Sequence, residues 1–172
     1  MTRTLYITGI ESADALLNRD GTALMIGMLL DQQVPMEWAF TGPYTIRKRL
    51  GHVNAKRIAA MDVDKFVAVC SEKPAIHRFP RSMATRIHGL CVALAEDYDG
   101  KGENVWRDVE DAKELMARLR KLPGTAKKKP RFSSLFSAND LVFDQKTGRN
   151  TQVCSLMPGR EAWLTFIRQR LY

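Results

Sequence analysis

Hydrophobic residues recur at helical spacing through most of the chain, and two stretches show the pattern best. Residues 23–30 are apolar on every side, so we expect a central, buried helix that is capped by Asp20 or Thr22. A second helix should begin at Ser82 and end near Gly100, because its apolar residues form one stripe of 3.6-residue period. That stripe consists of Met83, Ile87, Leu90, Cys91, Leu94 and Tyr98.

Proline, glycine and capping residues predict shorter helices between these two. A helix over residues 36–40 should begin after Pro35, which suits a first helical turn, and should be broken at Gly42-Pro43. Asn54 and Asp62 are candidate N-caps for two further helices.

The helical pattern continues over residues 109–121 and then fades after Gly124, with one more helical stretch at residues 161–171. The sequence therefore predicts an all-α fold, a single-domain helical bundle. We divide it into a main helical body, residues 1–124, and a divergent basic tail, residues 125–172.

Composition narrows the class of protein. The chain has 172 residues, of which 45% are hydrophobic and 27% charged, so we expect one soluble domain. It has no apolar stretch that could span a bilayer and no signal-peptide pattern, so we expect a cytoplasmic protein without membrane association. Cys70, Cys91 and Cys154 are too few and too widely spaced for a disulfide framework, a metal site or an iron–sulfur cluster. We expect no cofactor and a monomer.

The net charge of +8 is unevenly distributed. Residues 1–72 carry eight Lys or Arg and eight Asp or Glu, so the entire excess belongs to residues 73–172. Such asymmetry is typical of a surface that binds a polyanion. The alternative is a basic surface that serves only solubility.

The densest basic cluster surrounds a predicted tight turn. Residues 118–131 contain seven Lys or Arg and no acid. The turn itself consists of Leu122, Pro123 and Gly124. A helical pattern runs directly into this turn, whose exposed backbone N–H groups would suit a phosphate, and Lys127 and Lys129 would add salt-sensitive attraction. Pro-Gly also ends many helices that bind nothing, so the neighbouring cations are what favour DNA.

Two other segments contain candidate DNA contacts. Gln33 ends a Leu-Leu-Asp-Gln-Gln segment between two helices, and the alternative for it is an ordinary solvated helix end. Residues 73–88 contain four Lys or Arg and no acid, which makes Arg78 and Arg81 candidate phosphate contacts in what could also be an ordinary basic loop. His77 and His88 are weak candidates for acid–base catalysis. Four aromatic residues could stack on bases or belong to the core: Trp38, Phe40, Tyr44 and Phe79.

In this order, the segments resemble those of the helix-hairpin-helix DNA glycosylases of base-excision repair, the superfamily that includes endonuclease III. The resemblance is to an uncharacterised bacterial subgroup, through MIGMLLDQQVPMEWAF (residues 25–40) and EKPAIHRFPRSMA (residues 72–84), and it covers about residues 10–124. It implies that Gln33 enters the duplex beside an extruded base and that the Leu-Pro-Gly turn grips phosphate. The base must be extruded because a stacked base hides its glycosidic bond.

The match to the family pattern is incomplete after the turn. The family hairpin has a second glycine where this chain has Ala126, at a position that often needs a positive φ. Lys128 falls where bifunctional relatives carry a lysine nucleophile, within a run of three lysines. Asp144 lies near the position of the family's catalytic aspartate but lacks the histidine that is expected shortly after it.

The tail has a specific hypothesis of its own. The codons for Lys127 to Lys129 can form an adenine run, which is prone to slippage. A shift of one base from Pro130 onward can then spell AAIFVALFGKRLGVRPKDW, which resembles the family's continuation after the hairpin. We therefore hypothesise that residues 130–172 are a frame-shifted tail; the alternative is a genuinely divergent C-terminus.

These observations predict a DNA N-glycosylase of base-excision repair that binds double-stranded DNA and removes a damaged base. An alternative is a non-catalytic helix-hairpin-helix DNA-binding protein or an inactive, truncated glycosylase. A third possibility is a helical adaptor for other proteins, without a DNA role.

Overall fold

The computed structural model describes residues 5–109 and 112–124. Within these ranges the chain forms seven α-helices and one 3₁₀ turn, with no β-strand, which confirms the all-α fold. The helices are α1 (Glu11–Arg19), α2 (Gly21–Leu30), α3 (Met36–Leu50), α4 (Ala55–Ala59), α5 (Val63–Ser71), α6 (Pro80–Asp97) and α7 (Ala112–Lys121), and the 3₁₀ turn is Gly102–Val105. The predicted helix over residues 161–171 lies outside the described ranges.

Helix α2 is the centre of the core, as its uninterrupted apolar sequence predicts. Nine of its ten residues are buried, and it packs against α1, α3, α6 and the 3₁₀ turn. Asp20 is its N-cap, because one oxygen of its carboxylate accepts the backbone N–H groups of Thr22 (2.9 Å) and Ala23 (3.1 Å). Thr22 has a different role: its hydroxyl accepts the N–H of Gly102 in the 3₁₀ turn.

Helix α3 differs from the prediction, because it continues through Pro43 without a break. A proline inside a helix costs roughly 3 kcal/mol. The face of α3 that carries Phe40 and Ile46 is buried, however, and burial of each of these side chains stabilises the fold by about 1.5–3 kcal/mol. The two helices approach so closely that a Cβ on Gly42 would lie 2.3 Å from Cδ1 of Leu30. Packing against α2 therefore outweighs the lost hydrogen bond.

Helices α4 and α5 pack against α6, and both begin at the predicted caps. The side-chain oxygens of Asn54 and Asp62 each accept a backbone N–H at 3.0 Å. Helix α6 begins at Pro80 rather than Ser82, because proline occupies the first turn directly after Phe79. Its predicted stripe is buried, apart from the half-buried Tyr98 at its end: Met83, Ile87, Leu90, Cys91 and Leu94.

Candidate nucleic-acid interface

The Leu-Pro-Gly turn packs directly onto the body of the fold. Leu122 is buried and donates its N–H to the carbonyl of Leu119 at 3.2 Å, while Pro123 is exposed. Gly124 has a φ of +88°, which a residue with a side chain adopts only under strain. A Cβ on Gly124 would lie 3.3 Å from Cβ of Arg86 on α6. The turn is therefore held in place by α6 and presents its outer side to solvent.

Cations surround the turn at the end of α7. Arg120 and Lys121 are exposed in the last helical turn and form no ion pair within 4 Å among the described residues. Arg118 is different, because it pairs with Glu114 at 2.7 Å and donates to the carbonyl of Val105 at 3.3 Å. The last two cations of the helix are thus available to an external phosphate, whereas Arg118 holds α7 to the body.

The loop that contains Gln33 lies between α2 and α3 and is fixed by its neighbour Gln32. The side-chain NH₂ of Gln32 donates to the carbonyl of Leu29 at 2.9 Å, and its side-chain oxygen accepts a hydrogen bond from Arg86 at 3.0 Å. Gln33 itself is exposed and has a φ of +63°, the left-handed region that only a few side chains tolerate. The loop therefore presents Gln33 to solvent on a strained but well-anchored backbone.

His77 anchors the same loop from the other side. Its Nδ1 accepts the backbone N–H of Phe79 at 3.0 Å, so its proton must be on Nε2, which donates to the carbonyl of Gln32 at 2.9 Å. Burial lowers the pKa of His77, which favours this neutral form. Because both ring nitrogens have backbone partners, His77 acts as a structural support rather than as the acid–base catalyst that we considered.

The four predicted aromatic residues divide into two groups. Phe40 is buried in the core and Tyr44 is half-buried against it, so neither is an open stacking surface. Trp38 and Phe79 are exposed, and the ring of His77 lies between them, with centroids 6.4 Å from Trp38 and 6.1 Å from Phe79. The guanidinium carbon of Arg78 lies 5.4 Å from the centroid of the Phe79 ring.

The three predicted segments meet at Arg86. This residue belongs to the basic segment 73–88, binds the Gln33 loop through Gln32, and lies so close to the Leu-Pro-Gly turn that a Cβ on Gly124 would be 3.3 Å from its own Cβ. Arg78 and Arg81 are exposed within that segment. Arg86 was not predicted as a site residue, because its contacts with the loop and the turn depend on residues that are distant in sequence.

The remaining predicted residues lie outside the described ranges. These are Lys127, Lys128, Lys129 and Asp144, together with Ala126 and the second helix of the predicted hairpin. The candidate duplex-binding surface is therefore built here from the Gln33 loop, Arg78, Arg81, Arg86 and residues 118–124.

A separate cleft of about 510 Å³ lies at the opposite end of α2. It is lined by charged residues of both signs and by one histidine: Arg19, Asp20, Arg47, His52, Lys101 and Glu103. Burial raises the pKa of Asp20, although that carboxylate accepts the N–H groups of Ala23 and Thr22 as the cap of α2. None of the predicted site residues lines this cleft.

Comparisons with known proteins found no matching family model, no matching curated protein and no matching solved structure. The resemblance to DNA glycosylases therefore stays a prediction from the sequence. No helix in the described part of the chain is long and apolar enough to cross a membrane. In the same residues, no cluster of three or more His, Cys, Asp or Glu side chains could hold a metal ion.

Proposed function

We propose that this protein binds double-stranded DNA and acts in base-excision repair as a helix-hairpin-helix DNA glycosylase. The observation that carries the proposal is the convergence of three separate sequence segments on Arg86. A turn with a positive-φ glycine, the exposed cations Arg120 and Lys121, and an exposed Gln33 together form a surface that suits a phosphate backbone with a probing side chain beside it.

The binding step follows from this arrangement. The N–H of Gly124 donates to a phosphate without reading sequence; it is the one left in the Leu-Pro-Gly turn, because Pro123 has no N–H and the N–H of Leu122 is bonded to Leu119. Arg120 and Lys121 add attraction that depends on salt. Gln33 then fills the space of a base that has left the stack. Its anchored loop supports this role, because a probing side chain needs a fixed backbone.

The chemical step is assigned to residues after the turn. In the proposed reaction an aspartate carboxylate stabilises the oxocarbenium-like sugar or activates water, and Asp144 is the candidate. In a bifunctional enzyme a lysine, here Lys128, would attack the sugar and form a Schiff base.

The second candidate function is DNA binding without catalysis, by a protein of the same architecture or by a truncated glycosylase. The described interface accounts for this function by itself, because its cations, amides and aromatic rings are groups that bind DNA. Turnover separates the two functions: a glycosylase leaves abasic sites, which alkali converts to strand breaks, whereas a binder only retards the duplex in a gel.

The binding proposal is tested by fluorescence anisotropy on duplex DNA over a series of salt concentrations. Replacement of both Arg120 and Lys121 by Gln should reduce the slope of log K against log salt by about two, roughly one for each phosphate contact. The matched control is Arg57→Gln, which removes an exposed cation on α4, away from the proposed interface. The N-cap of α4, Asn54, lines the cleft at the N-terminal end of α2, whereas the interface lies at its C-terminal end. An equal effect of the control would mean a generally basic surface, and no salt-dependent binding at all would favour the protein adaptor.

A further inference from the structure

Two exposed aromatic rings, those of Trp38 and Phe79, each lie within 6.4 Å of the buried ring of His77, and we call these three residues the aromatic strip. Trp38 is 42% exposed and Phe79 is 46% exposed, while His77 is only 1% exposed. The part of the strip that a ligand can reach therefore consists of the Trp38 and Phe79 rings. Open aromatic rings bury a large apolar area when a flat ligand covers them, which makes this pair a candidate binding surface.

Hydrogen bonds and the burial of His77 hold the strip in position. Trp38 donates its indole N–H to the carbonyl of Ala75 at 3.3 Å, and Phe79 donates its backbone N–H to Nδ1 of His77 at 3.0 Å. The His77 ring is close to parallel with the Trp38 ring, at 29° between planes. Rings that are fixed in advance bind a flat ligand with little loss of conformational entropy.

The charge on the Phe79 side of the strip is positive, whereas Trp38 on α3 has the exposed Glu37 as its neighbour in sequence. Arg78 lies over the Phe79 ring, Arg81 is exposed on the first turn of α6, and the sequence has no Asp or Glu between residues 73 and 95. A flat ring surface beside cations matches the two parts of a nucleotide, because the base can stack and the phosphate can bind the cation.

The strip is also connected to the Leu-Pro-Gly turn. Gln32 forms both links: its backbone carbonyl accepts a hydrogen bond from Nε2 of His77, and its side-chain oxygen accepts one from Arg86. Arg86 in turn lies against Gly124 of the turn. The strip and the turn are therefore joined through Gln32 and Arg86, so one DNA molecule can reach both.

We propose that the aromatic strip binds unpaired nucleotides of a DNA strand, so that the preferred ligand is gapped or forked DNA with its duplex part on the Leu-Pro-Gly turn. In an intact duplex the faces of the bases are stacked on each other, and the strip has nothing to stack on. The Trp38 and Phe79 rings stand open to solvent, so they suit unstacked bases of a single strand. The duplex half of this ligand rests on the proposed function, and the single-strand half does not.

The test compares three DNA molecules by anisotropy: an uninterrupted duplex, the same duplex with a short gap, and the unpaired strand alone. We expect the gapped molecule to bind about tenfold more tightly than the duplex, which is the effect of roughly one stacked base. Trp38→Ala should lower affinity for the gapped and single-stranded molecules by about tenfold and leave duplex affinity unchanged, and Phe79→Ala should act in the same direction.

Two control variants keep the result interpretable. Trp38→Phe retains a ring and should keep most of the preference for the gap, and Tyr6→Ala removes an aromatic residue that is 82% exposed beside α1 and should change nothing. Thermal unfolding of each variant shows whether the fold is kept. Trp163 is the third tryptophan of the chain, so fluorescence is compared in a Trp163→Phe background. There, quenching by the unpaired strand should be largely lost when Trp38→Phe is added, because Trp106 is buried.

Equal affinity of the native protein for gapped and uninterrupted DNA would overturn the inference, as would an equal loss on all three molecules in Trp38→Ala. Failure of the proposed function gives a different result. If duplex DNA does not bind at the Leu-Pro-Gly turn, the double variant Arg120→Gln with Lys121→Gln leaves the affinity for duplex DNA unchanged. The affinity for the unpaired strand and its dependence on Trp38 are measured separately and still test the strip.

Discussion

Gly124→Ala tests whether the geometry of the Leu-Pro-Gly turn carries DNA binding. The φ of Gly124 is +88°, and the added Cβ would lie 3.0 Å from Cδ1 of Leu29 and 3.3 Å from Cβ of Arg86. Alanine at this position must therefore tolerate the left-handed backbone and also move two neighbours. One of these neighbours, Arg86, holds the Gln33 loop, so the effect should reach the other half of the interface.

The expected change in stability can be worked from these contacts. A left-handed backbone costs alanine about 1–2 kcal/mol. Alanine also restricts the unfolded chain, which returns about 0.4–1 kcal/mol. The net loss is about 1 kcal/mol before the contacts with Leu29 and Arg86 are added, and 1 kcal/mol lowers the melting temperature of a chain of this size by about 2–4 °C.

The effect on DNA should be larger than the effect on the fold. A hydrogen bond to a charged group contributes about 1.5–3 kcal/mol, so one lost N–H-to-phosphate bond lowers affinity at least about tenfold. The matched control is Gly51→Ala at the end of α3, where φ is +77° and a Cβ would meet nothing within 4 Å. It imposes the same backbone strain away from the interface. Differential scanning fluorimetry and anisotropy on duplex DNA measure both quantities, and equal DNA affinity in the two variants would refute the role of the turn.

Three further predictions test the loop, its support and the packing of the helices. Gln33→Gly should raise the free energy of unfolding by about 0.5–1 kcal/mol, because it relieves a backbone φ of +63°, yet it should weaken duplex binding; a loss of stability in a melt would contradict this reasoning. Burial lowers the pKa of His77, so the unfolded chain binds that proton more readily; stability should be complete above about pH 6.5 and fall as the pH drops below it. The free energy of unfolding, measured by denaturation at about pH 7.5 and 5.5, should differ less between the two pH values in His77→Gln than in the native protein. Burial also lowers the pKa of His52, so His52→Gln should remove a second contribution of the same sign. Gly21→Ala should lower the free energy of unfolding by about 1–3 kcal/mol, because its Cβ would lie 2.4 Å from a backbone nitrogen of the 3₁₀ turn. Gly89→Ala should raise the free energy of unfolding by about 0.5–1 kcal/mol, because its added Cβ would have no neighbour closer than 3.5 Å and alanine favours a helix. Thermal melts in which both variants gain or both lose stability would refute the packing argument.

Local chemistry explains the parts of the fold that the sequence predicted. Asn54 and Asp62 carry the side-chain oxygen that a first turn needs, so their helices begin where they were expected. The apolar residues of α6 recur every 3.6 residues, so they lie on one face of the helix, and that face is buried. Helix α1 was missed because its N-cap, Ile10, offers no side-chain hydrogen bond and no sequence signal.

Features that depend on tertiary contacts were not predictable in the same way. The proline-glycine rule at Pro43 is local, and it failed because the burial of one face of α3 against α2 is worth more than one helix hydrogen bond. The role of Arg86 depends on three segments that are far apart in sequence, and its own neighbours do not reveal it. His77 looked like a possible catalyst because its two backbone partners are visible only in the folded chain.

Lys128 can be tested without any assumption about the fold of the tail. It follows Gly124 by four residues, so its Cα lies within about 14 Å of the Gly124 Cα even in a fully extended chain. Its ammonium group is therefore confined to the neighbourhood of any phosphate on the turn, whereas Asp144, twenty residues after the glycine, has no such restriction. We expect Lys128→Gln to reduce the salt slope of duplex binding by about one in either candidate function. Only in a bifunctional glycosylase does Lys128→Gln also abolish borohydride trapping of the DNA. If Lys129→Gln abolished trapping and Lys128→Gln did not, the residue-by-residue match to the family would be wrong at this position. An unchanged salt slope in both variants would show that the cations after the turn do not contact DNA, and the binding surface would then end at Gly124.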